Sequence, residues 1–360
     1  MTFQQTGIAA SEITGDAGER QALSPAGRVV HVVSVSGGKD STATYLKALE
    51  RGRPFIAVFA DTGNEHDWTY DFVRSLPQKT GGPEIIWVKA DFTEKMAKKR
   101  EFVRAHWPAH GIPQSVVDRA VQLLHPTGIP FLDLCIWKTR FPSAKARFCT
   151  DELKLAPIYG YQLPLFEAGK AIVSWQGVRA EESLARADLP RWQRVNPVPE
   201  SLSAAEKRAG EAFRAYAYRP LIDWKTEDVF ACHRRHGIAW NPLYDHGMNR
   251  VGCMPCVMCK KAELREIGRR FPDHIDKIEA WEALVSDVSK RGNSTFFCTD
   301  DDPMLREKFE AGTLDFLIDN VGIRSRVEWS RTGRGGRQYD MLIDAADNFG
   351  TACNQWGACE

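Results

Sequence analysis

The sequence lacks several features that would each assign the protein to a class. Its 48 Lys and Arg residues balance 47 Asp and Glu residues, so the net charge of +1 excludes a global basic field for nucleic acid and leaves only local patches. No apolar run approaches the roughly 18 residues of a membrane span. The first 20 residues lack the basic start and apolar core of a secretory signal. We therefore expect a cytoplasmic location and no membrane partner.

Cysteine is present in an odd number, nine among 360 residues. Three of the nine fall within seven residues, at positions 253, 256 and 259. A reducing cytoplasm disfavours a disulfide framework, so this clustering indicates a metal or redox site rather than structural cross-links. The hydrophobic fraction of 43% is sufficient to bury a core and excludes a fully disordered or collagen-like chain.

Short apolar runs alternate with segments of helical periodicity. Strands are predicted at four runs: 29–35, 54–60, 84–88 and 171–175. Helices are predicted at 40–49, 66–75, 92–105, 262–270 and 273–290. The Pro- and Arg-rich segments 106–150 and 190–215 are predicted to be loops or short helices. This alternation predicts an α/β fold, a Rossmann-like doubly wound and mostly parallel sheet with helices on both faces, followed by a helical, cysteine-bearing C-terminal extension.

The sharpest motif lies between the first predicted strand and its helix: Ser36-Gly37-Gly38-Lys39-Asp40-Ser41. Two glycines allow positive φ and close approach of the backbone to an anion, and the free N–H groups and dipole of the helix start favour a phosphate there. Lys39 adds a positive charge, and the two serines add hydroxyl donors. The spacing differs from the Walker A pattern. The alternative interpretation is an ordinary strand–turn–helix connection.

This string resembles the pyrophosphate loop of the N-type ATP pyrophosphatases, the adenine nucleotide alpha-hydrolase superfamily. The resemblance implies an enzyme that binds ATP with Mg²⁺ and cleaves the bond between the α and β phosphates, giving AMP and pyrophosphate. It also implies that residues 36–41 cradle the β and γ phosphates, with Lys39 and Asp40 taking part in catalysis.

A second string follows the next predicted strand, at Asp61-Thr62-Gly63. The carboxyl end of a strand is where an open parallel sheet binds its ligands. The string is similar to a segment near the nucleotide in the reductase and sulfurylase branch of the same superfamily. This similarity implies a catalytic role for Asp61 and nucleotide contacts from Thr62 and Gly63. The alternative is a turn that caps the following helix.

A third string begins at Gly177-Val178-Arg179 and continues through Glu182 to Arg186. It is similar to the substrate loop of the phosphoadenosine phosphosulfate reductase family. The similarity implies that Gly177, Arg179 and Arg186 contact the nucleotide and that Arg179 is catalytic, since a guanidinium grips phosphate or sulfate with two parallel hydrogen bonds. The alternative is a solvated ion pair between Arg179 and a neighbouring glutamate.

The clustered cysteines form a C-x-x-C-x-x-C run, Cys253, Cys256 and Cys259, whose thiolates can reach one soft metal centre from a single loop. Both a zinc ion and an iron–sulfur cube require four ligands, so a fourth is needed from elsewhere. Cys149 is the first candidate, because its segment is similar to the cluster-binding segment of adenylyl-sulfate reductases, and Cys298 is the second. Three possibilities remain open: a [4Fe–4S] cluster, structural Zn²⁺, and free or redox-active thiols.

The resemblances cover residues 30–260 and imply three parts. These are a flexible segment 1–27, an ATP pyrophosphatase or phosphoadenosine phosphosulfate reductase-like domain 28–250, and a mainly helical region 251–360 that carries the cysteine run. The complete loop with Lys39 favours an ATP-consuming adenylyl or sulfur transferase over a reductase. The chain end, Trp356 to Glu360, is a poor match to the cysteine-bearing ending of such reductases.

Three functional hypotheses follow. The first is adenylation of an acceptor, linked to sulfur transfer or nucleic-acid modification, with a sulfur-donor protein as partner. The second is a reductase of adenylyl or phosphoadenylyl sulfate. The third is a nucleotide-binding subunit of a nucleic-acid modification or defence complex, suggested by the basic stretches 98–100 and 331–337. A solvated turn is the alternative interpretation of residues 331–337.

Overall fold

The computed structural model describes residues 28–297 and 322–332. The predicted flexible segment 1–27, Cys298 and the two C-terminal cysteines lie outside these residues. None of the described helices combines the length and the apolar content needed to cross a bilayer.

Six strands form one sheet. They are β1 (Val29–Val35), β2 (Ile56–Asp61), β3 (Ile85–Lys89), β4 (Ala171–Trp175), β5 (Trp192–Val195) and β6 (Ala215–Tyr218). Their order is β3-β2-β1-β4-β6-β5, and every neighbouring pair is parallel except β5 with β6. The chain moves outward from β1 to β3 and then crosses to β4 on the other side of β1, which is the doubly wound topology. The predicted fold class is confirmed.

The helices lie between and after these strands. They are α1 (Lys39–Glu50), α2 (Asp67–Thr80), α3 (Thr93–His106), α4 (Gln114–Leu123), α5 (Pro130–Lys138), α6 (Ala156–Glu167), α7 (Leu184–Ala187), α8 (Ala204–Gly210), α9 (Thr226–Arg235), α10 (Lys261–Arg270), α11 (Pro272–Val288) and α12 (Ile323–Ser330). One α-helical turn, Phe148–Thr150, and a π-helical turn, Asp151–Leu155, lead into α6. Short 3-10 turns occupy Pro108–His110, Ala180–Glu182 and Pro242–His246.

The β1 sequence VVHVVSV explains why both faces of the sheet are covered. Successive side chains of a strand point to opposite faces. Val33 and Val35 pack in the cluster that contains residues of α1 and α9, whereas Val30 and Val32 pack in the cluster that contains residues of α6. A run that is apolar on both faces is typical of a buried parallel strand, and helices cover each face here.

A third hydrophobic cluster lies beside the sheet and joins α3–α5 to α10–α12. Phe131 of α5 stacks on Trp281 of α11 with ring centroids 5.8 Å apart. Met254 and Cys259 of the cysteine run belong to the same cluster. The cysteine run is therefore packed against residues on both sides of position 250, and the proposed domain division at that position stays a prediction.

The two segments expected to be loops or short helices differ in outcome. Residues 106–150 contain two short helices, α4 and α5, of 10 and 9 residues, as expected. Residues 190–215 contain the whole of β5 and the first residue of β6. These two strands were missed because each has only four residues, so neither supplies enough alternation to reveal its period. Tertiary pairing of β6 between β4 and β5 decides its conformation.

Candidate nucleotide and cysteine site

The glycine loop, residues 36–41, connects β1 directly to α1. Gly37 has φ of +80°, and a Cβ there would come within 2.7 Å of Thr69 Cγ2, so only glycine fits this turn. Gly38 is the N-cap of α1 and has no side chain to cap the helix. The hydroxyls of Ser36 and Ser41 lie 3.0 Å apart across the turn. The loop lies at a helix start, the position that binds anions, and its Ser36 and Gly38 amides donate to the Ser41 and Ser36 hydroxyls.

Asp40 is fully buried and lies between two cations. Its Oδ2 accepts from Lys39 Nζ at 2.5 Å, and its Oδ1 accepts from Arg179 Nε at 2.6 Å. Arg179 also pairs with Glu181 and donates to the Thr226 hydroxyl at 3.2 Å. The predicted residues Lys39, Asp40 and Arg179 are thus brought together, although Arg179 is 139 residues from Asp40.

Three residues of α9 and the turn after it hold the glycine loop from behind. His233 Nε2 donates to the Lys39 carbonyl at 2.8 Å, and Asn241 Nδ2 donates to the Gly37 carbonyl at 3.3 Å. The Tyr244 hydroxyl accepts from the Lys39 N–H at 2.9 Å. Burial lowers the pKa of His233, so its neutral form is favoured. The sequence analysis did not identify these residues, because their roles depend on contacts about 200 residues away.

Gly177 and Arg186 lie in different environments. A Cβ on Gly177 would lie 2.9 Å from the Asp40 carbonyl carbon and 3.0 Å from Ser41 N. The backbone after β4 is therefore too close to α1 for any side chain at position 177. Arg186 pairs with Glu182 four residues earlier. Gly177 is thus placed against the glycine loop, whereas Arg186 contacts its own loop.

The Asp61-Thr62-Gly63 turn lies at the end of β2, as expected. Asp61 Oδ1 accepts from Gly63 N and from the Tyr70 hydroxyl, each at 2.9 Å. The Tyr70 hydroxyl also lies 3.0 Å from Glu65 Oε2. Burial and the two carboxylates raise the pKa of Tyr70 far above its ordinary value, so Tyr70 remains a donor between them.

Glu65 joins this turn to the cysteine run and was not predicted. It is buried, its Oε1 accepts from the Thr62 hydroxyl at 2.7 Å, and Cys253 Sγ lies 3.7 Å from the same oxygen. Thr62 Oγ1 is also 3.3 Å from Cys253 Sγ. The only sequence signal for Glu65 was its position two residues after the D-T-G string.

The cysteine set, defined as Cys149, Cys253, Cys256 and Cys259, is electrostatically coupled. Burial raises the pKa of Cys149 to about 11, with a further contribution from Cys256. Burial likewise raises the pKa of Cys253 and of Cys259 well above the ordinary thiol value, and Cys256 again contributes. Lys154 acts in the opposite direction on Cys149 and Cys253. Four cysteines from two distant segments are thus close enough to influence one another, and a soft metal centre takes such ligands as thiolates.

The spacing of these thiols bears on which metal centre fits. Zn–S bonds of about 2.3 Å in a tetrahedron bring the sulfurs to about 3.8 Å from one another. Within the described residues, the group of three metal-type donors that lie within 4.8 Å of one another is Glu50, Cys232 and His236, which includes no member of the cysteine set. An iron–sulfur cube, each corner of which takes one thiolate, holds its cysteines farther apart. Among the described residues, the cysteine set is therefore not arranged as a closed zinc site, while its four thiols match in number and kind the ligands of an iron–sulfur cube.

One open cavity of about 830 Å³ lies beside the glycine loop. It begins at Ser36, Ser41 and Gly177 and extends past the ends of β1 and β2 to Glu65 and Lys154. Gly252, which also lines it, directly precedes Cys253. The cavity therefore reaches from the glycine loop to residues that contact or adjoin Cys253, and the cysteines themselves do not line it.

Comparisons with known proteins agree with this arrangement. An uncharacterised 37.8 kDa protein of Escherichia phage 186 is 44% identical over 92% of this chain and 97% of its own length. An adenosine 5'-phosphosulfate reductase of Bacillus pumilus is 32% identical over 56% of this chain, and an uncharacterised protein of Methanocaldococcus jannaschii is 25% identical over 73%. This chain spans 61% and 42% of the length of those two proteins.

Among solved structures, the phosphoadenylyl-sulfate reductase of Candida auris in a phosphate complex aligns with a TM-score of 0.38 at 17% identity, over 66% of this chain and 87% of that chain. The family model for the phosphoadenosine phosphosulfate reductase domain matches residues 30–259, which include the glycine loop, the D-T-G turn and the cysteine set. The chain therefore belongs to the phosphoadenosine phosphosulfate reductase domain family.

Proposed function

We propose that this protein is an ATP-dependent enzyme that cleaves the α–β bond of ATP and transfers AMP to an acceptor, preparing that acceptor for sulfur transfer. The observation on which the proposal rests is the cavity that begins at Ser36, Ser41 and Gly177 of the nucleotide end and reaches Glu65 and Gly252, which contact or adjoin Cys253. A nucleotide held at one end would present its reacting phosphate toward the other end. Membership of the family supports a nucleotide substrate, and the complete Ser36–Ser41 loop favours ATP.

The charges at the glycine loop suit the outer phosphates of ATP. Lys39 and Arg179 both pair with Asp40, Arg179 also pairs with Glu181, and the N-terminus of α1 adds its dipole. When phosphate binds, Lys39 Nζ turns from Asp40 to the phosphate while Arg179 keeps Asp40 compensated. The Lys39 charge and the helix dipole would then stabilise pyrophosphate as it leaves.

The proposed reaction transfers one adenylyl group. A nucleophilic oxygen of the acceptor attacks the α phosphorus, and a new P–O bond forms as the bond to the bridging oxygen breaks. That oxygen leaves in pyrophosphate with the bonding electron pair. Mg²⁺ bound with ATP would neutralise the phosphates, and Asp61 at the end of β2 is the carboxylate placed to hold the ion or to position the nucleotide. A sulfur nucleophile from a donor protein then displaces AMP.

The cysteine set would hold a [4Fe–4S] cluster behind the Glu65 and Gly252 end of the cavity. When bound, such a cluster supplies a redox-active or sulfide-binding centre next to the acceptor. Lys154 lines the cavity and favours the thiolate forms of Cys149 and Cys253, so its charge offsets part of the negative charge of the thiolates. Glu65 and Thr62 position Cys253 from the nucleotide side.

Product analysis tests the proposal. ATP labelled at the α phosphate is incubated anaerobically with the purified protein, Mg²⁺ and candidate acceptors, and we expect labelled AMP or adenylated acceptor with unlabelled pyrophosphate. Lys39→Ala should reduce this turnover about 100-fold or more, as expected for loss of a charge that stabilises the leaving group. The exposed Lys79→Ala variant on α2 is the matched control and should retain activity. Labelled ADP as product would contradict the proposal.

A second candidate is reduction of adenylyl or phosphoadenylyl sulfate. It is favoured by the similarity to adenosine 5'-phosphosulfate reductases, whose identity to this chain reaches 34% over 97 residues. Sulfite release from either sulfonucleotide with a thiol donor, in the absence of ATP, would support this function. ATP-dependent release of pyrophosphate without sulfite would support adenylation instead.

Nucleic acid as the acceptor, or a modification complex as the setting, stays a prediction. In α3, Lys98 lies 3.7 Å from Glu94, and Arg100 donates to the Leu124 carbonyl at 3.0 Å. Most of the basic segment 331–337 lies outside the described residues. Binding to DNA or RNA that weakens steeply as salt rises would support this partner, because counterion release makes such binding salt-dependent.

A further inference from the structure

A second group of metal-type ligands lies at the far end of α1, away from the glycine loop. Glu50 is the last residue of α1, and its Oε1 lies 2.8 Å from His236 Nε2. Cys232 Sγ completes three donor atoms that all lie within 4.8 Å of one another. Cys232 and His236 are four residues apart at the end of α9, so they lie on one face of that helix.

The chemistry of these donors selects a class of cation. A thiol, an imidazole and a carboxylate are the ligands of a borderline-soft divalent ion such as Zn²⁺, whereas Ca²⁺ and Mg²⁺ take oxygen ligands. Both α1 and α9 end at this point, so the negative ends of two helix dipoles face a bound cation.

A protein cation already bridges two of the three donors. The Arg235 guanidinium lies 2.7 Å from Glu50 Oε1 and 3.6 Å from Cys232 Sγ. The Arg235 side chain is 56% exposed, so it can turn into solvent without leaving a buried charge behind. Lys47 pairs with the other carboxylate oxygen, Oε2, and leaves Oε1 to face the thiol and the imidazole.

We propose that Glu50, Cys232 and His236 form a Zn²⁺ site that is separate from the cysteine set, with water as the fourth ligand. When the metal is absent, the Arg235 guanidinium takes the place of the ion. On binding, the thiol proton of Cys232 is released to solvent as the Zn–S bond forms. The ion fastens the C-terminal ends of α1 and α9. These two helices also meet at the glycine loop through His233 and Lys39, so the site stabilises the pair of helices that shapes the loop.

Zinc and iron counts on the full-length protein test this site. The anaerobically purified protein is dialysed against buffered Zn²⁺, and both metals are measured per chain. Cys232→Ser and His236→Gln should each bind one Zn²⁺ fewer than the parent with unchanged iron content. Cys135→Ser, which removes another fully buried thiol that lies outside the trio, should retain the parent zinc count. Because the readout is a difference in zinc, it does not depend on the proposed function.

The side chain of His236 is partly exposed, so His236→Gln keeps the test decisive if Cys232→Ser fails to fold. An unchanged zinc count in folded His236→Gln would overturn the site and leave an ion-pair cluster. Loss of one ligand should weaken Zn²⁺ binding at least about tenfold. Arg235→Gln removes the competing cation and should tighten Zn²⁺ binding, whereas weaker binding would overturn the role assigned to Arg235.

Discussion

The glycine loop and the cysteine set are built on opposite principles. In the glycine loop, charged groups pair with one another: Asp40 lies between Lys39 and Arg179, and Arg179 also pairs with Glu181. In the cysteine set, burial first, and then neighbouring carboxylates and Cys256, raise the pKa of Cys253 and Cys259. The first region holds paired charges without a ligand, whereas Cys253 and Cys259 are held in the neutral thiol form and must lose protons to bind a metal.

This difference indicates how each region depends on what it binds. A preorganised anion site keeps its geometry when the anion leaves, because the protein itself fixes the donors. A metal centre whose buried thiol ligands must lose their protons to bind couples metal binding to pH and to folding. We therefore expect removal of nucleotide to leave the fold intact, and removal of the metal centre to destabilise it.

The largest effect is expected from Cys256→Ala. Cys256 contributes to the raised pKa of each of the other three thiols, so we expect it to be a ligand of the centre that they would share. Iron and acid-labile sulfide should fall to background, and the free energy of unfolding should fall by several kcal/mol, as when a structural metal is lost. Metal analysis with denaturant unfolding measures both. Cys135→Ala is the control and should keep its iron; a full iron content in Cys256→Ala would contradict the proposed ligand set.

The next effect is expected from Asp40→Ala. The substitution leaves Lys39 buried without its carboxylate and Arg179 without one of its partners, Glu181 remaining, which should lower the free energy of unfolding by about 3 kcal/mol. Denaturant unfolding of the nucleotide-free protein measures this loss. Asp71→Ala removes an exposed carboxylate 3.4 Å from Arg74 and should change stability by less than about 0.5 kcal/mol. An equally small loss in Asp40→Ala would show that the loop is not internally compensated.

A smaller effect is expected from Gly177→Ala. The new methyl group would meet the backbone of Asp40 and Ser41, which cannot rotate away, so we expect a loss of about 1–3 kcal/mol and weaker nucleotide binding. Gly160→Ala in α6 is the matched control, because its Cβ would meet nothing within 4 Å. Higher helix propensity should make that variant more stable by up to about 1 kcal/mol. Thermal unfolding should therefore give opposite signs for the two variants.

The sequence predicted most of what is local and little of what is not. The strand, glycine turn and helix around residues 36–41 were predictable because all three signals fall within one short segment. The positions of His233, Asn241 and Tyr244 were not, because hydrogen bonds to a loop 200 residues away leave no periodicity in the sequence. Short strands such as β6 were missed for the same reason: their conformation is decided by pairing partners.

The cysteine set shows the same limit in another form. The spacing of Cys253, Cys256 and Cys259 was evident, and chemistry required a fourth ligand. Only a family resemblance pointed to Cys149 over Cys298. In the structure, Phe148 and Cys149, in the helical turn that leads into α6, pack against the third hydrophobic cluster. This packing brings Cys149 close enough to Cys256 for the two to interact electrostatically. No pattern in the sequence alone predicts that Glu65 contacts Cys253, since that contact depends on the isolated bridge between residues 65 and 253.

The smallest effect is expected at His31 of β1, the strand that leads into the glycine loop. It tests whether the stability of this strand can be changed without changing the loop. Burial, with added repulsion from Arg51 and Arg53, lowers the pKa of His31 on β1 to about 4, and Trp175 Nε1 donates to its Nδ1 at 2.9 Å. Because the folded-state pKa lies below the unfolded value of about 6.5, the unfolded state binds more protons between these limits. The stabilisation is therefore complete above pH 6.5 and is lost as pH falls toward 4.

His31→Asn keeps an acceptor for Trp175 but removes the titration. Between pH 6.5 and 4, the free energy of unfolding of the parent should fall by about 1–2 kcal/mol more than that of the variant. One pKa unit corresponds to about 1.4 kcal/mol, and solvent screening of a half-buried group reduces the total. At pH 7.5 the rise in melting temperature on adding ATP should be equal in both proteins, because His31 lies at the middle of β1 and not in the loop. If the free energy of unfolding of both proteins had the same pH dependence, His31 would have an ordinary pKa in the folded protein. If His31→Asn changed the rise in melting temperature on adding ATP, the glycine loop would depend on β1 more than its internal ion pairs imply.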